Sequence, residues 1–180
     1  MRTELRFAGF GGQGIISAGM IAGRAAALHD NKNAVMTQSY GPEARGGACH
    51  ANVVISEDPV NYPKIICPNL LVVMSQEAFT RYSREITPGG TLIVDEDLVQ
   101  DIEADEGIQL YIVPATRIAK ELGNKIVANV VMLGAVAALS PAIRKKALLE
   151  SVRESVPARF LELNERAFES GYEYGEGITA

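Results

Sequence analysis

The chain of 180 residues is 47% hydrophobic and 22% charged and carries a net charge of −5. That balance fits an ordinary globular fold, excludes disorder or a fibrous repeat, and leaves no broad basic surface for nucleic acid. Met1 leads directly into a strand-like run, with neither a basic leader nor an apolar stretch long enough to span a bilayer, so a cytoplasmic chain with no membrane contact is expected. Cys49 and Cys67 form no C-x-x-C pair and His29 and His50 are scattered, which predicts reduced thiols and no metal.

Leu5–Ala8 reads as a strand and runs into Gly9-Phe10-Gly11-Gly12-Gln13-Gly14, after which an Ala/Gly-rich helix is predicted to about Leu28. Asn33–Gln38, bounded by the turn cluster Asp30-Asn31-Lys32, is a second strand, and Cys49–Ser56 a third. The loop from Ser39 to Gly47 joins these two, which are expected to be parallel. Leu70–Met74 is a continuous apolar run, the pattern of a strand covered on both faces, and Thr91–Val94 reads as another buried strand, with a short helix from Gln76 to about Ser83 between them. Gln109–Val113 reads as the last strand. From Thr116 onward the chain is mainly helical: Arg117–Leu122, then Val127–Leu139, apolar almost all round. Ser140-Pro141 reads as a helix cap followed by proline at the first helical position. Phe160, Leu163, Ala167 and Phe168 fall at helical spacing, and 171–180 reads as a loosely held tail. The expected architecture is α/β over 1–180 as a single domain: a Rossmann-like, mostly parallel sheet with helices on both faces and a helical C-terminal part.

The glycine stretch matches G-x-G-x-x-G, which points to either an anion cradle or a tight packing corner. As a dinucleotide site it lacks the acid expected at the end of the second strand, which reads Thr37-Gln38-Ser39; Asp30 precedes that strand. Arg45, among small residues, suits a carboxylate, a phosphate or an acidic partner surface; a solvated loop arginine, paired with Glu43, is the plainer alternative. Cys49 and His50 are adjacent on a strand and point to opposite faces, against a catalytic pair. Asp95-Glu96-Asp97 reads as a solvated strand end and Arg144-Lys145-Lys146 as a solvated helix face.

Four segments together, Gly9–Ile16, Ser39–Gly47, Ser75–Ala78 and Asn129–Gly134, resemble the gamma subunit of the 2-oxoacid:ferredoxin oxidoreductases over almost the whole chain. The Ser39–Gly47 wording is most similar to the 2-oxoglutarate members. The resemblance implies a multi-subunit enzyme that decarboxylates a 2-oxoacid on thiamine diphosphate, passes electrons through iron–sulfur clusters to ferredoxin, and transfers the acyl group to coenzyme A. It also implies alpha and beta partner subunits and, in members that have it, a ferredoxin-like delta subunit.

No Gly-Asp-Gly thiamine diphosphate motif occurs here, and two cysteines cannot supply the four thiolates of a cluster, so those cofactors are assigned to the partners. For this chain the resemblance leaves assembly and a share of the coenzyme A passage, with no catalytic residue of its own. Gly9, Gly11, Gly12, Gln13 and Gly14 are candidates for a coenzyme A phosphate, together with Arg45. Tyr40, Gly41, Pro42, Glu43, Arg45, Gly46 and Gly47 are candidates for a partner contact or active-site edge. The alternatives are a dinucleotide-binding Rossmann oxidoreductase and a non-catalytic interaction module.

Overall fold

The computed structural model describes residues 2–39 and 48–179. β1 (Arg2–Phe10) leads through the glycine turn into α1 (Ile15–Arg24), whose end widens into a π-helical segment, Ala25–His29. β2 (Asn33–Gln38) and β3 (Ala48–Ser56) follow, then β4 (Leu70–Val73), α2 (Gln76–Tyr82), β5 (Thr91–Asp95) and β6 (Gln109–Val113). The remainder is α3 (Ala115–Glu121), a 3₁₀ turn (Lys125–Val127), α4 (Ala128–Leu139), α5 (Lys145–Ser155) and α6 (Leu161–Gly177).

The six strands lie in the order β2-β3-β1-β4-β5-β6. β1, β4, β5 and β6 are parallel neighbours, as the apolar runs predict. β3 departs from the expectation: it is antiparallel to both β1 and β2. The reason is the length of the connection, since a parallel crossover takes a dozen residues or more and residues 39–47 are too few. Because β3 reverses direction, the β2 and β1 carboxyl ends still point to the same edge of the sheet.

The strands sort their side chains by alternation. Leu5, Phe7, Leu70, Val72 and Ile93 enter the larger core, shared with α1, α3, α4, α5 and α6. Leu71, Val73, Leu92 and Val94 face the other way, onto Ala78, Phe79 and Tyr82 of α2. Helices therefore cover both faces, the second mainly through α2. Arg6 also points to the α2 side and is buried there; its guanidinium donates to Asn52 Oδ1 at 2.9 Å and pairs with Glu85 while lying over the Tyr82 ring.

Helices α4 and α6 cross backbone to backbone. A Cβ on Gly134 would run into the Phe168 carbonyl, and one on Gly171 into the Val131 carbonyl. Segment 171–180 is consequently no loose tail through Gly177: α6 continues, with Gly171 and Gly175 buried. The apolar pattern ending at Phe168 hides this, because glycines make the contact by having no side chain.

Ser140-Pro141 starts a turn rather than a helix. Ser140 Oγ accepts from Ala142 N at 3.3 Å, the buried Ala142 and Ile143 turn into the core, and α5 begins only at Lys145. Arg144 just before it donates its main-chain N–H to Asp30 Oδ2 at 2.9 Å, and Lys145 pairs with Glu169 at 2.8 Å, so this stretch is more tightly engaged than a solvated helix face. Asp95 is likewise not a solvated strand end: it is fully buried. Its carboxylate accepts from Thr116 N (3.1 Å), Thr116 Oγ1 (2.7 Å) and Asp97 N (3.0 Å), capping the start of α3. Among the described residues, no helix is long and apolar enough to cross a membrane.

Candidate functional site

The carboxyl ends of β1, β4 and β5 form the edge where ligands collect in open α/β sheets. The glycine turn crosses it. Gly12 (φ 92°) and Gly14 (φ 75°) take left-handed backbone torsions, which explains why glycine occupies both positions. Gln13 braces the turn with both ends of its amide: Oε1 accepts from Phe10 N at 2.6 Å and Nε2 donates to the Met74 carbonyl at 2.7 Å. A Cβ at Gly9 would strike the Gln13 and Ile15 side chains, so Gly9 makes room for this brace.

The helices that begin at this edge differ in their caps. Ser75 Oγ accepts from Ala78 N at the start of α2, Asp95 caps α3, and Asn124 Oδ1 accepts from Ile126 N in the turn before α4. α1 begins at Gly14, with no side-chain cap and no acidic residue in its first turn. Among the described residues its first N–H groups therefore lack a side-chain acceptor of the kind that Ser75 gives α2 and Asp95 gives α3, and the positive end of its dipole favours an anion.

Two cavities flank the turn. One, of about 480 Å³, is bounded by Gly12, Gly14, Ser17, Arg24, Asn129 and Asn164 with apolar walls from Met20 and Phe160. The other, of about 390 Å³, includes Phe10, Gly11, Gly12, Gln13, Thr116 and Lys125. Ile126 borders both and is 70% exposed; Met20 is 52% exposed. The edge is thus apolar at its rim and carries hydrogen-bonding groups at its centre. Arg24 pairs with Glu154 at 3.5 Å across the larger cavity.

Three of the four segments that carry the family resemblance, Gly9–Ile16, Ser75–Ala78 and Asn129–Gly134, converge here. Asn129 Nδ2 donates to the Gly14 carbonyl at 3.2 Å, tying the start of α4 to the turn. Ala48 pairs with Phe10 across the sheet and donates its N–H to Glu77 Oε1 at 3.4 Å, so the third segment meets the start of β3 beside the first. Tyr40, Gly41, Pro42, Glu43, Arg45, Gly46 and Gly47 lie outside the described residues; their flanks Ser39 and Ala48 are at this edge, with Ser39 N donating to the His50 carbonyl at 2.9 Å. Asn129 and Arg24 were not assigned from sequence. A polar residue opening an otherwise apolar helix was the available signal for Asn129.

Cys49 and His50 separate as expected. Cys49 is buried in the larger core, where desolvation pushes its thiol pKa up, and His50 Nδ1 meets the Tyr82 hydroxyl at 3.0 Å on the other face. The dinucleotide alternative loses further ground, because β3 lies between β1 and β2 and Asp30 is engaged with Arg144. Among the described residues no group of His, Cys, Asp and Glu is placed to hold a metal ion.

Residues 4–174 match the pyruvate ferredoxin/flavodoxin oxidoreductase family. The chain is 52% identical over 180 residues to the 2-oxoglutarate synthase subunit KorC of Methanocaldococcus jannaschii, a match covering 99% of this chain and 96% of that protein. Its fold superposes on the gamma subunit of a keto/oxoacid ferredoxin oxidoreductase from Geobacter sulfurreducens with a TM-score of 0.89 and 41% identity, over 98% of both chains. The 2-oxoglutarate:ferredoxin oxidoreductase of Magnetococcus marinus, solved with 2-oxoglutarate, coenzyme A and succinyl-CoA bound, gives a TM-score of 0.84 and 25% identity, covering 98% of this chain and 31% of that longer one. Whole-length matches in sequence and in fold agree: the chain belongs to the pyruvate ferredoxin/flavodoxin oxidoreductase family, among its gamma subunits.

Proposed function

We propose that this chain is the gamma subunit of a 2-oxoglutarate:ferredoxin oxidoreductase, which converts 2-oxoglutarate and coenzyme A to succinyl-CoA and CO2 while an electron pair leaves to ferredoxin. The observation that carries the reading is the 52% identity to a 2-oxoglutarate synthase subunit along nearly the full length of both chains. In this reading alpha and beta subunits hold the thiamine diphosphate and, with any ferredoxin-like delta subunit, the iron–sulfur clusters. The residues here do not fit a cluster: Cys49 pairs across from Gly9 at the carboxyl end of β1, whereas Cys67 lies just before β4, toward the opposite edge. Two thiols so separated provide no set of four.

The chain contributes assembly and one wall of the coenzyme A passage. The uncapped start of α1 and the flanking cavities favour a phosphate at Gly9–Gly14, and Arg45, in the sequence between Ser39 and Ala48, is the candidate cation. The exposed rim residues Met20, Ile126 and Phe160 are suited to contact with a partner subunit.

Gly12→Val and Arg45→Ala in the assembled complex test the passage. A Cβ at Gly12 meets nothing within 4 Å, so a side chain there would project into the space beside the turn as well as straining its backbone. Arg45→Ala removes a charge-assisted contact, expected to raise the KM for coenzyme A roughly 10- to 150-fold with little change for 2-oxoglutarate. A thermal midpoint for Gly12→Val separates lost binding from lost fold. Lower activity that recovers at high subunit concentration, with an unchanged KM, would assign this edge to assembly alone.

A further inference from the structure

We infer that Gln13 and Asn129 are positioning residues that fix the two ends of the glycine turn, an inference that rests on reading this edge as a wall of the coenzyme A passage. Gln13 spends both ends of its amide on main-chain groups, Phe10 N and the Met74 carbonyl. It therefore belongs to the support of the turn rather than to the ligand-facing surface proposed from sequence. Through Met74 it ties the start of the turn to the end of β4.

Asn129 does the same at the other end, from α4. Its partner, the Gly14 carbonyl, only accepts, so the amide nitrogen must face it. Asn129 is 8% exposed, yet among the described residues its Oδ1 accepts no hydrogen bond and no fully buried side-chain polar atom lacks a partner. That oxygen is consequently open to the larger cavity, which Asn129 lines together with Gly12 and Gly14. Gly14 and Asn129 also fit as a pair, because a Cβ on Gly14 would occupy the place of the Asn129 amide. The turn is thus suspended between β4 and α4, and the uncapped N–H groups of α1 are aimed by two carboxamides that need not touch the phosphate.

The test uses the complete complex with Gln13→Met, which preserves side-chain length without either hydrogen bond, and Asn129→Ala. Each is expected to raise the KM for coenzyme A about 5- to 10-fold, with kcat and the KM for 2-oxoglutarate changed by less than about twofold. Gly175→Ala, which brings a Cβ to 2.7 Å from that of Ala138 far from the turn, is the stability control and should lower the thermal midpoint without moving either KM. If Asn129→Ala does not assemble, Gln13→Met decides. An unchanged KM for coenzyme A in Gln13→Met, or a rise equal to that in Gly175→Ala, overturns the inference. Should Gly12→Val raise that KM while the two positioning variants do not, only this inference falls; should none of them raise it, the coenzyme A reading of this edge falls as well.

Discussion

Gly171→Ala should be among the most damaging single changes in the chain, costing about 3 kcal/mol or more and lowering the thermal midpoint by roughly 6–12 °C. The added methyl would overlap the Val131 carbonyl, which belongs to the backbone of α4 and cannot rotate aside as a side chain would. Either α4 and α6 separate, opening voids around Met132 and Phe168, or both helices shift. Gly134→Ala meets the Phe168 carbonyl from the other side and should behave alike. Gly177, at the end of the same helix, provides the contrast, since a Cβ added there would meet nothing within 4 Å: Gly177→Ala should leave the midpoint unchanged or slightly raised. Thermal unfolding of the three variants checks the crossing.

Asp95→Ala should destabilise the chain by about 2–4 kcal/mol, since it leaves the buried Thr116 N–H and hydroxyl without their acceptor and uncaps α3. Asp95→Asn keeps an acceptor for Thr116 but turns an amide donor toward the Asp97 N–H, and should cost less. The two also differ in their pH dependence. Burial is the main cause of a raised Asp95 pKa, outweighing the hydrogen bonds from Thr116 and Asp97 that lower it. A carboxyl raised in the folded state contributes stability that is complete below its unfolded pKa, about 3.9, and is lost as the pH rises through the folded value. The Asp95 contribution therefore declines with rising pH in that acid window, and Asp95→Asn should remove this component. Urea midpoints measured for the parent chain and for Asp95→Asn across the acid range would show the difference in slope.

Much of this architecture was legible because strand burial and turn chemistry leave local marks. Leu70–Met74 and Leu92–Val94 are apolar throughout since both faces are covered, and Gly9–Gly14 needs glycines where the backbone enters left-handed torsions. The direction of β3 required a further step, namely that residues 39–47 cannot hold a crossover helix. What stayed hidden depends on contacts between distant segments. Asp95 resembles its exposed neighbours Glu96 and Asp97 until Thr116 is brought against it, and Gly171 looks like a tail residue until Val131 is. At the site, G-x-G-x-x-G marked the turn, but the division of labour within it, with Gln13 as brace and Asn129 as the second anchor, exists only once β4 and α4 are in place.

The central claim is that this chain is an obligate component of a 2-oxoglutarate-oxidising complex and performs no turnover alone. Anaerobic co-expression with the alpha and beta subunits, and with a delta subunit where one accompanies them, followed by an assay of 2-oxoglutarate- and coenzyme A-dependent ferredoxin reduction with and without this chain, tests it most directly. The expected result is a colourless, inactive single chain that co-purifies with its partners, and activity that appears only when it is present. Turnover by the isolated chain, or full activity of the partners in its absence, would contradict it.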